Sequence, residues 1–167
     1  MKWKRILKRQ TTLHGFDPKQ VQRLIKPKRH NFFIAAKPAN KNLTPKEMSK
    51  LSDGMLRALS KINVGNKFNI TSATGKSGQW GTEPSFMLTG VPTSLRNKIY
   101  TLADKYGQEA IAVSEEGEKG AKFITPKGKV TDEFEDMEFD PDAEYSTDFP
   151  SGQRLTFTGW KEPLKKK

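Results

Sequence analysis

Apolar positions along the chain fall into short runs, alternations and groups spaced by three and four, and these predict the elements. Asn31 to Ala36 is an apolar run of strand length. Thr44-Pro45-Lys46-Glu47 reads as a helix start: a Thr cap, Pro in the first turn, and Glu three residues after the cap. Met48, Leu51, Met55, Leu59 and Ile62 then lie on one helical face, with Gly54 a weak point in the middle. Lys67 to Ser72 alternates Phe68 and Ile70 with polar residues, as a half-buried strand does. A Gly-rich stretch, Thr74 to Gln79, reads as a flexible hairpin loop, and Ser85 to Val91 as the next strand, with Phe86 and Leu88 on one side. Pro92-Thr93-Ser94 opens a second helix with Leu95, Ile99, Leu102 and Tyr106 on its face, and Gly107 is the expected stop. Glu109 to Ser114 is an apolar strand, and Lys122 to Thr125 pairs back on it across an acidic turn.

The order strand, helix, strand, strand, helix, strand predicts an α+β fold: a ferredoxin-like βαββαβ sheet with two helices on one face. The other face is expected to be open or covered by the terminal segments. Before this core, Trp3, Ile6 and Leu7 edge one short basic helix. Asp17-Pro18-Lys19-Gln20 caps a second that Pro27 ends. After it, Arg154 to Thr158 reads as a last strand, a C-terminal β extension. The predicted organisation is therefore a basic N-terminal arm over residues 1–30, the α+β domain over 31–128, an acidic linker over 129–149, and a C-terminal strand with a basic tail over 150–167.

Charge sharpens this division. The chain of 167 residues carries a net +11, but residues 1–76 hold 18 Lys and Arg against 3 Asp and Glu. Residues 77–160 hold 8 against 15, and the tip 161–167 holds 4 against 1. A front end of +15 and a following stretch of −7 point to a polyanion-binding arm rather than a uniformly basic surface. Hydrophobic residues make up only 34% of the chain, which agrees with charged appendages around a core of modest size.

Residues 33–124 resemble the uncharacterised bacterial and phage family called domain of unknown function 3293. The matching pieces are Trp80, Glu83, Ser85 and Phe86 of its Trp-x-Glu-x-Ser-Phe motif, and Tyr106-Gly107-Gln108 with Ala110 and Ile111 of its Tyr/Phe-Gly-Gln-Asn-Ala motif. There are departures: one extra residue lies between Trp80 and Glu83, Lys37 replaces an Asn, and Met48 stands where a helix Asn is expected. The family brings no activity with it. The Met-Lys-Trp-Lys start is similar to that of small proteins of tailed phages.

Several chemistries are excluded. With no Cys, there is no disulfide framework, thiolate metal site or Cys nucleophile. His14 and His30 are the only histidines, which excludes a Ser-His-Asp arrangement within the domain and leaves no metal site and no cofactor to expect. Gly75-Lys76-Ser77 lacks the upstream Gly of a phosphate loop, since Ile70 stands there. Asp140-x-Asp142-x-Glu144 lacks the Gly and distal Glu of a Ca²⁺ loop. Thr131 to Asp148 holds nine acids and reads as a solvated linker, with Phe134, Met137 and Phe139 as anchors for an alternative in which it lies on a basic surface. Glu83 is the candidate functional carboxylate, with Trp80, Ser85 and Gln108 as companions, if all four share one pocket.

The leading expectation is a small, non-enzymatic, basic phage or bacterial accessory protein that binds nucleic acid or a nucleoprotein assembly with little sequence preference. The phosphate-binding residues expected in the first arm are Lys2, Lys4, Arg5, Lys8 and Arg9; Arg23, Lys26, Lys28 and Arg29 follow, and then Lys37, Lys41 and Lys76 in the domain. The alternatives are a protein-interaction or virion-assembly component, and an enzyme using Glu83 as acid or base. No apolar run is long enough for a membrane span, and no apolar segment follows the basic start as in a secretory signal. The expected location is the cytoplasm, or host cytoplasm or virion for a viral protein.

Overall fold

The computed structural model describes residues 29–36, 42–77, 81–140, 142–143, 146–149 and 152–161. In chain order the elements are β1 (His30–Ala35), α1 (Pro45–Ile62), β2 (Asn69–Ser77), β3 (Gly81–Val91), a 3-10 turn (Thr93–Leu95), α2 (Arg96–Lys105), β4 (Ile111–Ser114), β5 (Ala121–Ile124), β6 (Val130–Phe139), β7 (Ser146–Asp148) and β8 (Arg154–Lys161).

The local signals act as their chemistry requires. Thr44 Oγ1 accepts from the Glu47 N–H at 3.2 Å, and Glu47 Oε1 accepts from the Thr44 N–H at 3.1 Å, a closed capping box. At the other end of α1, Asn63 clamps the following loop: its side chain donates to the Phe68 carbonyl and accepts from the Phe68 N–H. Gly107, at φ +68°, ends α2. Its N–H donates to the Asp104 carbonyl and the Gln108 N–H to the Ala103 carbonyl, the paired bonds of a Schellman motif.

The open ferredoxin-like sheet is not what forms. The strands make a closed eight-stranded barrel in the order β1-β3-β2-β7-β8-β6-β5-β4, antiparallel at every pairing. The first four strands do run β4-β1-β3-β2 side by side, with α1 and α2 as their crossovers. What overturns the open sheet is that both its edges are taken. β5 pairs with β4, β7 pairs with β2, and β8 and β6 bridge the gap. Closure removes the unpaired N–H and C=O groups that two free edges would expose.

The acidic linker expected over 129–149 is corrected by the same finding, because it contains β6 and β7. Acids in this stretch sit among strand positions, paired through the backbone to β5, β8 and β2. The hairpin loop expected at 74–79 also shrinks: Gly75, Lys76 and Ser77 belong to β2, and β3 resumes at Gly81. His30, counted in the arm from sequence, is the first residue of β1 and is buried, with Nε2 3.1 Å from Thr93 Oγ1.

Alternation along the strands divides the apolar side chains into two cores. Phe32 and Ile34 of β1, Phe68 before β2, and Phe86 and Leu88 of β3 pack outward against Met55 and Leu59 of α1 and Ile99 and Leu102 of α2. Phe33, Ala73, Met87, Ala112, Met137, Phe149 and Leu155 point into the barrel, with Phe123, Phe139 and Phe157 against them. Among the described residues, no helix is long and apolar enough to cross a membrane.

Candidate binding site in the barrel lumen

The inner core does not fill the barrel. Ala73, Met87, Met137 and Phe149 pack part of it, and beside them a cavity of about 560 Å³ remains. Its wall is largely aromatic, formed by Phe33 of β1, Phe123 of β5, Phe134 of β6 and Phe157 of β8. The rings hold one another at an angle. Phe157 lies 5.4 Å from Phe33 and 5.8 Å from Phe123 between centroids, near perpendicular to each, and 5.7 Å from Phe134, tilted at 38°. Edge-to-face contacts of this kind fix ring orientation as well as burying area. Small residues beside them, Ala35 on β1 and Ala112 paired with both Phe33 and Phe123, leave the space open.

The polar residues gather at one part of the wall. Gly75 on β2 is paired with Glu83 on β3, and a Cβ built on Gly75 would sit 3.2 Å from Glu83 Cγ and 3.0 Å from Ser85 Oγ. The missing side chain is therefore the space in which these two polar side chains lie. Ser85 Oγ donates to the Glu83 carbonyl at 3.4 Å. Gln108 also lines the cavity, placed there because the Schellman turn at Gly107 reverses the chain after α2. Glu138 and Asp140 at the end of β6, Ser146 and Thr147 of β7, and Thr156 and Thr158 of β8 complete the polar lining, with Lys76. Asp140 is held in place: its Oδ1 accepts from the Asp142 N–H at 2.9 Å, and its own N–H donates to the Arg154 carbonyl.

Of the four residues grouped with Glu83 in the sequence, three thus share one cavity: Glu83, Ser85 and Gln108. Trp80 lies outside the described residues. The only described histidine, His30, is engaged with Thr93 and is not part of the lumen wall. Among the described residues, no three His, Asp or Glu side chains are grouped to hold a metal ion.

The phosphate-binding set is dispersed. Lys2, Lys4, Arg5, Lys8, Arg9, Arg23, Lys26, Lys28, Lys37 and Lys41 lie outside the described residues. Arg29 is exposed just before β1, and Lys76 is exposed near the end of β2. Sequence reasoning missed a further basic row: Lys46, Lys50, Arg57 and Lys61 are all exposed on α1, spaced by three and four residues with Asp53 among them. The polar face of α1 carried that signal, but the apolar face drew the attention. It also missed the contribution of Glu138, Asp140, Phe134 and Phe157, which it had assigned to a linker or to the C-terminal extension.

No protein-family model matches the chain, and a search of the curated proteins finds no significant match.

Proposed function

We propose that the protein is a binding protein whose barrel lumen takes up a small amphipathic molecule. Its apolar body would lie on Phe33, Phe123, Phe134 and Phe157, and its polar end at Glu83, Ser85 and Gln108. The observation that carries this reading is the cavity itself. Its volume of about 560 Å³ falls in the range of small-molecule sites, and a mostly apolar lining with a few converging polar groups is their usual composition. Barrels of eight strands are just wide enough to hold one small ligand. Glu83 is read as a group that orients the ligand, its carboxylate beside Ser85 in the space that Gly75 leaves.

The test is titration of the full chain with a neutral apolar fluorophore, N-phenyl-1-naphthylamine, followed by tryptophan-independent emission. Saturable binding is expected. Ala112→Leu and Ala35→Leu, which add bulk to the wall, should each abolish it while leaving the unfolding midpoint close to wild type. Saturable binding that neither variant changes would place the fluorophore elsewhere and remove the reading.

A second reading is favoured by a separate observation, the exposed row Lys46, Lys50, Arg57 and Lys61 in a basic half of +15. In this reading the protein is a phage or bacterial accessory protein related to the uncharacterised family it resembles. It binds nucleic acid or a nucleoprotein assembly through residues 1–30, Lys37, Lys41, Lys76 and the α1 row. Phosphate contacts dominate such binding, so affinity for DNA and RNA should fall steeply with salt. Replacing Lys46, Lys50, Arg57 and Lys61 together by Glu should flatten the salt dependence. Binding that is equally tight at low and high salt removes this reading.

A further inference from the structure

We propose that the lumen selects an organic cation, an amine or ammonium group on an apolar chain or ring; this rests on the lumen reading above. The cavity is the site, and its lining decides the charge. Among the described residues Glu83 is the charged side chain that alternation turns inward, on the same face of β3 as Ser85 and Met87, while around it the lining includes Asp140 and the exposed Glu138 against the exposed Lys76. This is the reverse of the chain as a whole, where bases outnumber acids by 30 to 19. A carboxylate excess at this mostly apolar cavity favours a positive ligand and repels a negative one by the same field.

Position strengthens the argument. Glu83 is half-buried and faces the lumen on the same side of β3 as Ser85 and Met87, and Gly75 beside it, with no Cβ, leaves it room. A carboxylate drawn partly out of water next to phenylalanine walls is stabilised by a positive partner more than an exposed one would be. The wall itself adds to this. Aromatic ring faces attract an ammonium through their quadrupole, and four rings meet in this cavity at differing tilts. An anionic amphiphile would meet like charge at these carboxylates, with Lys76 the one base among the described lining residues. A neutral one would gain from the wall alone.

The experiment compares ligands with one body and different heads: decylammonium, decanol and decanoate, and in parallel 4-phenylbutylammonium, 4-phenylbutanol and 4-phenylbutyrate. Each is titrated by calorimetry into the 167-residue chain and into its Glu83→Gln variant. The ammonium compounds should bind roughly tenfold more tightly than the alcohols, the size of one charge-assisted hydrogen bond. The carboxylates should bind least. Glu83→Gln should remove most of the tenfold advantage and leave the alcohols unchanged, which shows that the cavity is intact. If alcohols or carboxylates bind as tightly as the ammonium compounds, the lumen reading stands and the cation proposal is overturned. If Glu83→Gln weakens all heads equally, the residue shapes the cavity rather than reading charge, and the proposal is again overturned. If no head binds in either series, both readings fall together.

Discussion

Every position of β1 is buried, whereas among the ten residues of β6 only Met137 is. The two strands belong to opposite walls of one barrel. On the wall built from β4, β1, β3 and β2, helices α1 and α2 cover the outside, so residues of both parities are apolar: Phe32 and Ile34 outward, Phe33 inward. On the wall built from β5 to β8, polar residues such as Glu133, Glu135 and Lys161 share the strands with Phe134, Met137 and Phe157. The first wall is held by packing on two faces. The second is held by backbone pairing, a few ion pairs, and the side chains that line the lumen. The lesson is that a strand can be dense in acids and still close a barrel, provided its inward positions are apolar.

The sharpest way to break the second wall is at Gly120. A Cβ there would lie 1.8 Å from the Phe134 carbonyl oxygen and 2.8 Å from the Glu135 carbonyl carbon, so only a backbone shift between β5 and β6 makes room. Gly120→Ala should cost more than about 4 kcal/mol in chemical denaturation, in the exceptional range for a point mutation. A loss below about 1 kcal/mol would show that the two strands are not so closely approached.

The contrast between the walls is tested by paired truncations. Leu59→Ala in the helix-covered core, at 0% exposure, should cost about 3 kcal/mol. Phe157→Ala removes a larger side chain, yet should cost only about 1–2 kcal/mol, because one side of the ring already faces a cavity and has few contacts to lose. The reverse order would mean the lumen is packed as tightly as the outer core.

Closure at the β2–β7 junction can be sharpened through Arg154 and Asp148. The guanidinium donates from Nε to Oδ1 at 2.9 Å and from a terminal nitrogen to Oδ2 at 3.1 Å, and it also reaches the Ala143 carbonyl. This two-pronged pair ties the short strand β7 to β8. Asp148→Asn should cost about 1 kcal/mol and raise hydrogen exchange at Ser146 to Asp148 before it does so in β3. Equal exchange in both strands would refute a local role.

The smallest effect belongs to the helix-covered wall. Hydrogen bonds from the Thr44 N–H, and then from its hydroxyl, hold the Glu47 carboxyl below its ordinary value of 4.5. A lowered folded-state value means the carboxylate stabilises α1 above the unfolded value, and that contribution is lost as pH falls through the folded one. The difference in melting temperature between wild type and Glu47→Gln should therefore be present at neutral pH and vanish in acid. A difference that persists unchanged at low pH would assign it to shape rather than charge.

Much of the local structure was legible in the chain. Thr44-Pro45-Lys46-Glu47 gave α1 its start, Gly107 gave α2 its stop, and Phe68, Ile70, Phe86 and Leu88 gave the outward faces of two strands. The grouping of Glu83 with Ser85 and Gln108 was legible too, through motif order rather than geometry. These features depend on neighbours within about four residues, where side-chain chemistry and backbone conformation are directly coupled. The role of β6 was hidden because Asp132, Glu133, Glu135, Asp136 and Glu138 dominate its composition and mask the apolar positions between them. The closure itself lay beyond any local reading. It joins Thr74 to Asp148 and Ala121 to Phe134 through backbone groups that nearly every residue carries alike, so no side chain announces the partner. Only the folded chain, with both sheet edges satisfied, decided that two half-apolar surfaces would face each other across a lumen.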